Sequence, residues 1–91
     1  MNIKYSLILP CYNEYGNLKL LLPEILKCFS NNDFEIIIVD DSQEDFRDKI
    51  KKATLKEDYC KIIYNNYRKG LSFSCNQGVE ISKGEYLCFL N

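Results

Sequence analysis

Aliphatic residues fall along the chain in two patterns. Ser6-Leu7-Ile8-Leu9-Pro10 and Phe34-Glu35-Ile36-Ile37-Ile38-Val39 are nearly uninterrupted, as strands buried on both faces of a parallel sheet are. They predict strands over about residues 4–9 and 34–39, and Lys61–Tyr64 and Glu85–Leu90 predict a third and a fourth. Leu18, Leu21, Leu22, Ile25, Leu26 and Phe29 instead recur at steps of three and four, which makes a helix with one apolar stripe. Pro23 lies inside it, where the missing N–H predicts a kink. Residues 43–56 read as a short polar helix with Phe46, Ile50, Ala53 and Leu55 as a weak inner face. Asn65–Gly70 reads as a loop and Leu71–Ser82 as a helix of small residues, closed by Lys83-Gly84 as a glycine C-cap. Strands alternating with helices predict an α/β fold of Rossmann-like kind. It has three layers, α/β/α, around a mostly parallel sheet in the order β-α-β-α-β-α-β.

A chain of 91 residues makes one small domain. It stops at Asn91, directly after a buried-looking strand, so the expectation is the first part of a longer, truncated domain. The formal net charge of −1 provides no basic field for nucleic acid or anionic membrane. Lys49, Lys51 and Lys52 stand beside Asp45 and Asp48 at helical spacing, as a solvated face does. Five cysteines without a C-x-x-C pair, and no histidine, argue against zinc. They suit a reduced protein that uses cysteine as an apolar filler. The N-terminus lacks the form of a signal peptide, and no apolar stretch approaches the roughly 20 residues that span a bilayer. A cytoplasmic location is expected.

In open parallel sheets, ligands sit outside the carboxyl ends of the strands. The first strand runs into Tyr12-Asn13-Glu14 and the second into Asp40-Asp41-Ser42. Each cluster also has a local reading. Asn13 suits a helix N-cap, and Asp41-Ser42 could cap the helix that follows. The pleat would turn one of the two acids inward and the other outward. Pro10 would end its strand and stiffen the turn. Taken together, the clusters offer a ring to stack on a planar base and carboxylates to accept from a base imide N–H or a ribose hydroxyl.

Four blocks occur in order: Leu9-Pro10-Cys11-Tyr12-Asn13-Glu14, Ile38-Val39-Asp40-Asp41-Ser42, Lys69-Gly70-Leu71 with Asn76-Gln77-Gly78, and Lys83-Gly84-Glu85-Tyr86. This set resembles the family 2 glycosyltransferases over essentially the whole chain. The resemblance implies the nucleotide-sugar-binding part of a GT-A fold, within an enzyme that transfers a sugar to an acceptor hydroxyl with inversion. By position it assigns nucleotide binding to Pro10, Tyr12, Glu14, Asp40, Asp41 and Gly70. Leu20-Leu21-Leu22-Pro23-Glu24 is similar to the dolichol- or polyprenyl-phosphate mannosyltransferase branch. Cys75 departs from the pattern, since many relatives carry an arginine before the Asn76 position.

The same resemblance implies Mg²⁺ or Mn²⁺ in the intact enzyme, held by an Asp-x-Asp motif whose opening position is Asn91. No metal is expected on this chain alone. The catalytic base of the family lies further along, so no catalytic residue is expected here and the isolated chain should be inactive. A UDP-sugar is the favoured donor, being the family's commonest. Cell envelope polysaccharide is a natural product class, made at the inner face of the membrane. Two other readings compete. Glu35–Asp41 is similar to the first strand of a signalling receiver, but Asn65-Asn66 and Asn91 stand where a phosphoacceptor aspartate is needed. A non-catalytic nucleotide-binding module is the other, self-associating through the open edge of the fourth strand.

Overall fold

A computed structural model describes residues 3–29, 33–42, 45–54 and 60–90. The order is β1 (Tyr5–Cys11), α1 (Tyr15–Phe29), β2 (Phe34–Asp40), α2 (Arg47–Thr54), β3 (Cys60–Tyr64), α3 (Leu71–Ile81) and β4 (Tyr86–Phe89). The four strands form one sheet in the order β3-β2-β1-β4, and every pairing is parallel. The α/β expectation therefore holds. The register sets Leu7 beside Ile36 and Leu9 beside Ile38, and this face packs on Leu18, Leu22 and Ile25 of α1 and Ile50 of α2. The opposite face carries Ile8, Ile37 and Val39 with Ile63. There α3 lies so close that a Cβ on Gly78 would come within 2.6 Å of Ile8 Cγ2. The strand order builds outward from β1 to β3 and then returns to β4, so its reversal falls at β1.

Several local expectations need correction. Strand β1 does not end at Pro10 but runs through Cys11, with Pro10 opposite Val39. Alternate residues of a strand bond to alternate neighbours, and Ile8 O accepts from Leu90 N at 2.9 Å while Cys11 O accepts from Asp41 N at 2.8 Å. Pro10 therefore turns its missing N–H toward β4, where the ladder stops, and costs the β2 side nothing. Helix α1 starts at Tyr15, and Asn13 does not cap it; Asn13 takes φ 53° in a left-handed turn and donates its N–H to Ser42 Oγ at 2.6 Å. The helix is continuous through Pro23.

Helix α2 starts at Arg47 rather than 43, because Asp45 takes the Arg47 N–H on Oδ1 at 2.9 Å. Neither Asp41 nor Ser42 caps it. Phe46 precedes the helix and stacks on Tyr15 with centroids 5.2 Å apart. Positions 43, 44, 55 and 56 and the side chain of Ala53, all within the expected helix, lie outside the described residues. Gly84 is not the C-cap of α3. Ser82 fills that position in an extended conformation and bonds back to Val79 O. Gly84 is needed for close approach instead, since a Cβ there would meet Ser6 N at 2.6 Å and Tyr5 C at 2.8 Å.

At the amino end of the sheet lies a buried charge. Glu35 is 1% exposed. Its Oε2 accepts from Ser6 Oγ and from Lys83 N, both at 2.6 Å, and Oε1 lies 2.9 Å from the Lys61 ammonium. Gly84 N donates to Ser6 Oγ at 2.8 Å. One carboxylate thus joins β1, β2, β3 and the link into β4. Burial pushes its pKa up, but these donors and the lysine charge outweigh that and hold it below the usual range.

Candidate nucleotide cleft

The carboxyl ends of β1 and β2 and the loop leading to α3 enclose a cleft of about 160 Å³. Pro10 lines it from β1, Tyr12 and Glu14 from the turn after it, Asp41 from the position just past β2, and Gly70 from the start of α3. Five of the six residues expected at a nucleotide site are thus brought to one wall. Asp40 is not in that wall. The two acids do point to opposite faces, but both faces are covered, so Asp40 is 2% and Asp41 4% exposed rather than one in and one out. Asp40 Oδ1 takes the Ser42 N–H at 3.0 Å, while its Oδ2 is buried without a hydrogen-bond partner.

Asp41 organises the cleft from its floor. Its Oδ2 accepts the backbone N–H groups of Lys69 and Gly70 at 3.0 Å each, and its Oδ1 accepts Asn65 Nδ2 at 2.6 Å. Asn65 and Gln77 exchange amide hydrogen bonds of 2.7 and 2.9 Å, tying the end of β3 to α3. Burial raises the Asp41 pKa, yet the donors from Asn65, Lys69 and Gly70 prevail and hold it below the ordinary carboxylate range. The nearby Ser74 hydroxyl adds to this without forming a hydrogen bond of proper geometry. Asp41 therefore stays ionised near neutrality, with most of its acceptor capacity spent on its own chain.

Two further residues in the wall had no motif to announce them. Arg68 holds its guanidinium 4.6 Å from the centroid of the Tyr12 ring, covering one face of it. Ser74 is buried at 2% exposure. The one available signal was the side chain's place in sequence, next to the Lys69-Gly70 block or one turn into α3. Cys75, the expected arginine position, is not part of the wall. Cys11 is in the wall but is no nucleophile: burial, with the charges of Glu14 and Asp40, pushes its thiol up to about 12. A second, more apolar cavity of about 250 Å³ lies between Leu9, Leu18, Leu21 and Leu90, sharing Pro10 and Glu14 with the first. Among the described residues no group of three or more His, Cys, Asp or Glu could hold a metal ion. Asn91, where the metal motif is expected to open, lies outside them. No helix among the described residues is long and apolar enough to cross a membrane.

A parallel sheet that reverses its strand order beside a polar cleft at the carboxyl ends defines a doubly wound α/β protein, a class that takes ligands at that point. Comparison with known proteins narrows this. The chain belongs to glycosyl transferase family 2, whose model matches residues 6–91. It is 32% identical over 93 residues to GalNAc(5)-diNAcBac-PP-undecaprenol beta-1,3-glucosyltransferase of Campylobacter jejuni, covering 97% of this chain and 29% of that protein. It is 34% identical to dolichol-phosphate mannosyltransferase of Pyrococcus furiosus, over 91% of this chain and 24% of that one. The yeast protein of the same name is 33% identical, with 96% and 34% covered. The chain thus spans about a quarter to a third of the length of these relatives.

Proposed function

We propose that this chain is the donor-binding part of an inverting family 2 glycosyltransferase, which moves a sugar from a nucleotide diphosphate to an acceptor hydroxyl. The observation that carries the reading is the cleft itself, where a ring, an ionised carboxylate and a second acid converge at the strand ends. Tyr12 would stack on the base and Asp41 accept from it. Glu14 would take a ribose hydroxyl. Gly70, at φ 96°, lets the loop fold down onto Asp41 as a side chain would not. Asp40 acts from behind the wall, holding Ser42, whose hydroxyl fixes Asn13. A UDP-sugar is the donor to try first.

Mg²⁺ or Mn²⁺ belongs to the longer protein, where it would carry the charge of the leaving diphosphate. The acceptor base belongs there too. The names of the relatives put lipid-linked acceptors or carriers first among those to test, at the cytoplasmic face of a membrane and in cell envelope polysaccharide synthesis. Calorimetric titration of the chain with UDP and UDP-sugars, with and without Mn²⁺, tests the pocket. Tyr12→Ala should weaken binding on the order of tenfold through lost stacking, with circular dichroism unchanged. Wild-type affinity in both Tyr12→Ala and Glu14→Gln would overturn the assignment. Sugar transfer by this chain alone would overturn its place as a part.

A second reading, self-association, rests on β4. That strand forms one edge of the sheet, and its Tyr86, Leu87 and Phe89 are exposed.

A further inference from the structure

The outer side of β4 carries a fixed pattern of backbone groups. Tyr86 N–H donates to Lys4 O and Leu90 N–H to Ile8 O, each at 2.9 Å, so the even-numbered residues turn their backbone toward β1. Leu87 and Phe89 therefore turn their N–H and C=O groups off the sheet, whose edge β4 forms. Resting on the self-association reading above, we infer that a second copy of this chain docks on that edge in one register. The two strands run antiparallel, Leu87 of each copy stands opposite Phe89 of the other, and the two Cys88 residues face each other at the centre.

Symmetry and hydrogen bonding select the register. Two copies of one edge close into a pair about a two-fold axis normal to the sheet, which runs the strands antiparallel. In such a ladder, residues that turn their backbone groups toward each other alternate with non-bonded pairs. Matching Leu87 crosswise with Phe89 uses every outward N–H and C=O of β4 and puts Cys88 on the axis as the non-bonded pair. Setting Leu87 against itself would put Phe89 opposite Glu85, whose N–H is already given to Ile3 O. Setting Phe89 against itself would put Leu87 opposite Asn91, past the end of the strand.

The side chains allow this pairing. Tyr86-Leu87-Cys88-Phe89 holds no charge and no proline, the usual guards of an edge strand. Helix α3 packs on β1 and β2, and Tyr86, Leu87 and Phe89 are exposed. Across the axis Leu87 meets Phe89 on the α3 face, and Tyr86 meets Leu90 on the other. Two half-open rings and a leucine bring on the order of 300 Å² of apolar surface per copy. A stable complex buries roughly 800 Å² per partner. The pair is therefore a transient one, formed at high protein concentration.

Cys88, a free thiol, serves as the probe. Facing Cα atoms of a non-bonded antiparallel pair lie about 4.5 Å apart, within the span of a disulfide. The whole chain is treated with diamide, which takes up the two electrons and two protons that a pair of thiols gives up, and linked peptides are mapped by mass spectrometry. A bridge joining Cys88 of one copy to Cys88 of the other should form increasingly with protein concentration. It should persist in Cys28→Ser and be lost in Cys88→Ser and in Phe89→Lys. The double variant Leu87→Cys, Cys88→Ser should not bridge through position 87, whose two copies stand about 9 Å apart, beyond that span. Bridging there, or a mixture of linkages through Cys28, Cys60 and Cys75, would overturn the register while dimers in sedimentation upheld self-association. Monomers at every concentration would overturn self-association itself.

Discussion

Two buried carboxylates, Asp41 and Glu35, hold the two ends of the sheet, and they differ in how openly the sequence announces them. Asp41 follows an aliphatic run at a strand end, where ligand-binding acids belong, so its place was legible. That most of its lone pairs serve Asn65, Lys69 and Gly70 was not, because those partners are 24 to 29 positions away. Glu35 looked like one polar interruption in an apolar strand. Only the register that sets Ser6 beside it shows that a hydroxyl and a lysine meet it. Its folded-state pKa lies below the unfolded value. Its contribution is therefore complete above about pH 4.3, the unfolded glutamate value, and is lost as pH falls through the folded one. The urea midpoint should stay level from neutrality to about pH 5 and then decline. Glu35→Gln should cost about 1–3 kcal/mol at pH 7 and flatten part of that decline, Asp41 supplying the remainder. An unchanged acid limb in the variant would remove Glu35 from the account.

Elements were legible where a periodic run exceeded two turns or alternated layers, and their ends were not. Helix α1 and the first three strands stand where hydrophobic spacing puts them. The start of α2 slipped by four residues because Asp45 offers a cap that spacing does not reveal. Gly84 was read by analogy with helix ends, whereas its reason is a strand 78 positions earlier. That distinction can be measured. A cap glycine tolerates alanine at a modest cost, but Gly84→Ala drives a Cβ against backbone atoms of Tyr5 and Ser6. Chemical denaturation should show a loss of about 1–3 kcal/mol, and a loss under about 0.5 kcal/mol would show that the link into β4 yields freely.

For the molecule as a whole, the layer order came from the alternation of strands and helices, and the covering of both faces came from two unbroken aliphatic runs. The condition of β4 did not follow from either. Its run Tyr86–Leu90 looked as buried as β1, yet Tyr86 is 57% and Phe89 52% exposed. Phe89, beside Ile8, lies on the face where α3 packs across β1 and β2, and Tyr86, beside Tyr5, lies on the opposite face, so β4 is thinly covered on both. Sedimentation velocity over a wide concentration range should show reversible dimers of the isolated chain, shifted toward monomer by Phe89→Lys. A single monomeric boundary at the highest concentration would dispose of the edge-pairing reading.

The missing side chain of Gly78 sets how near α3 can come to the sheet, and α3 carries the cleft's far wall at its first turn. Gly78 and Gly70 are eight residues apart, about 12 Å along a helix axis. The helix is a rigid arm with its fulcrum on Ile8, so the width of the cleft is fixed at a point no ligand touches. On the reading proposed above, whatever lifts the arm at that seam opens the cleft at its other end, and a nucleotide would be held for less time.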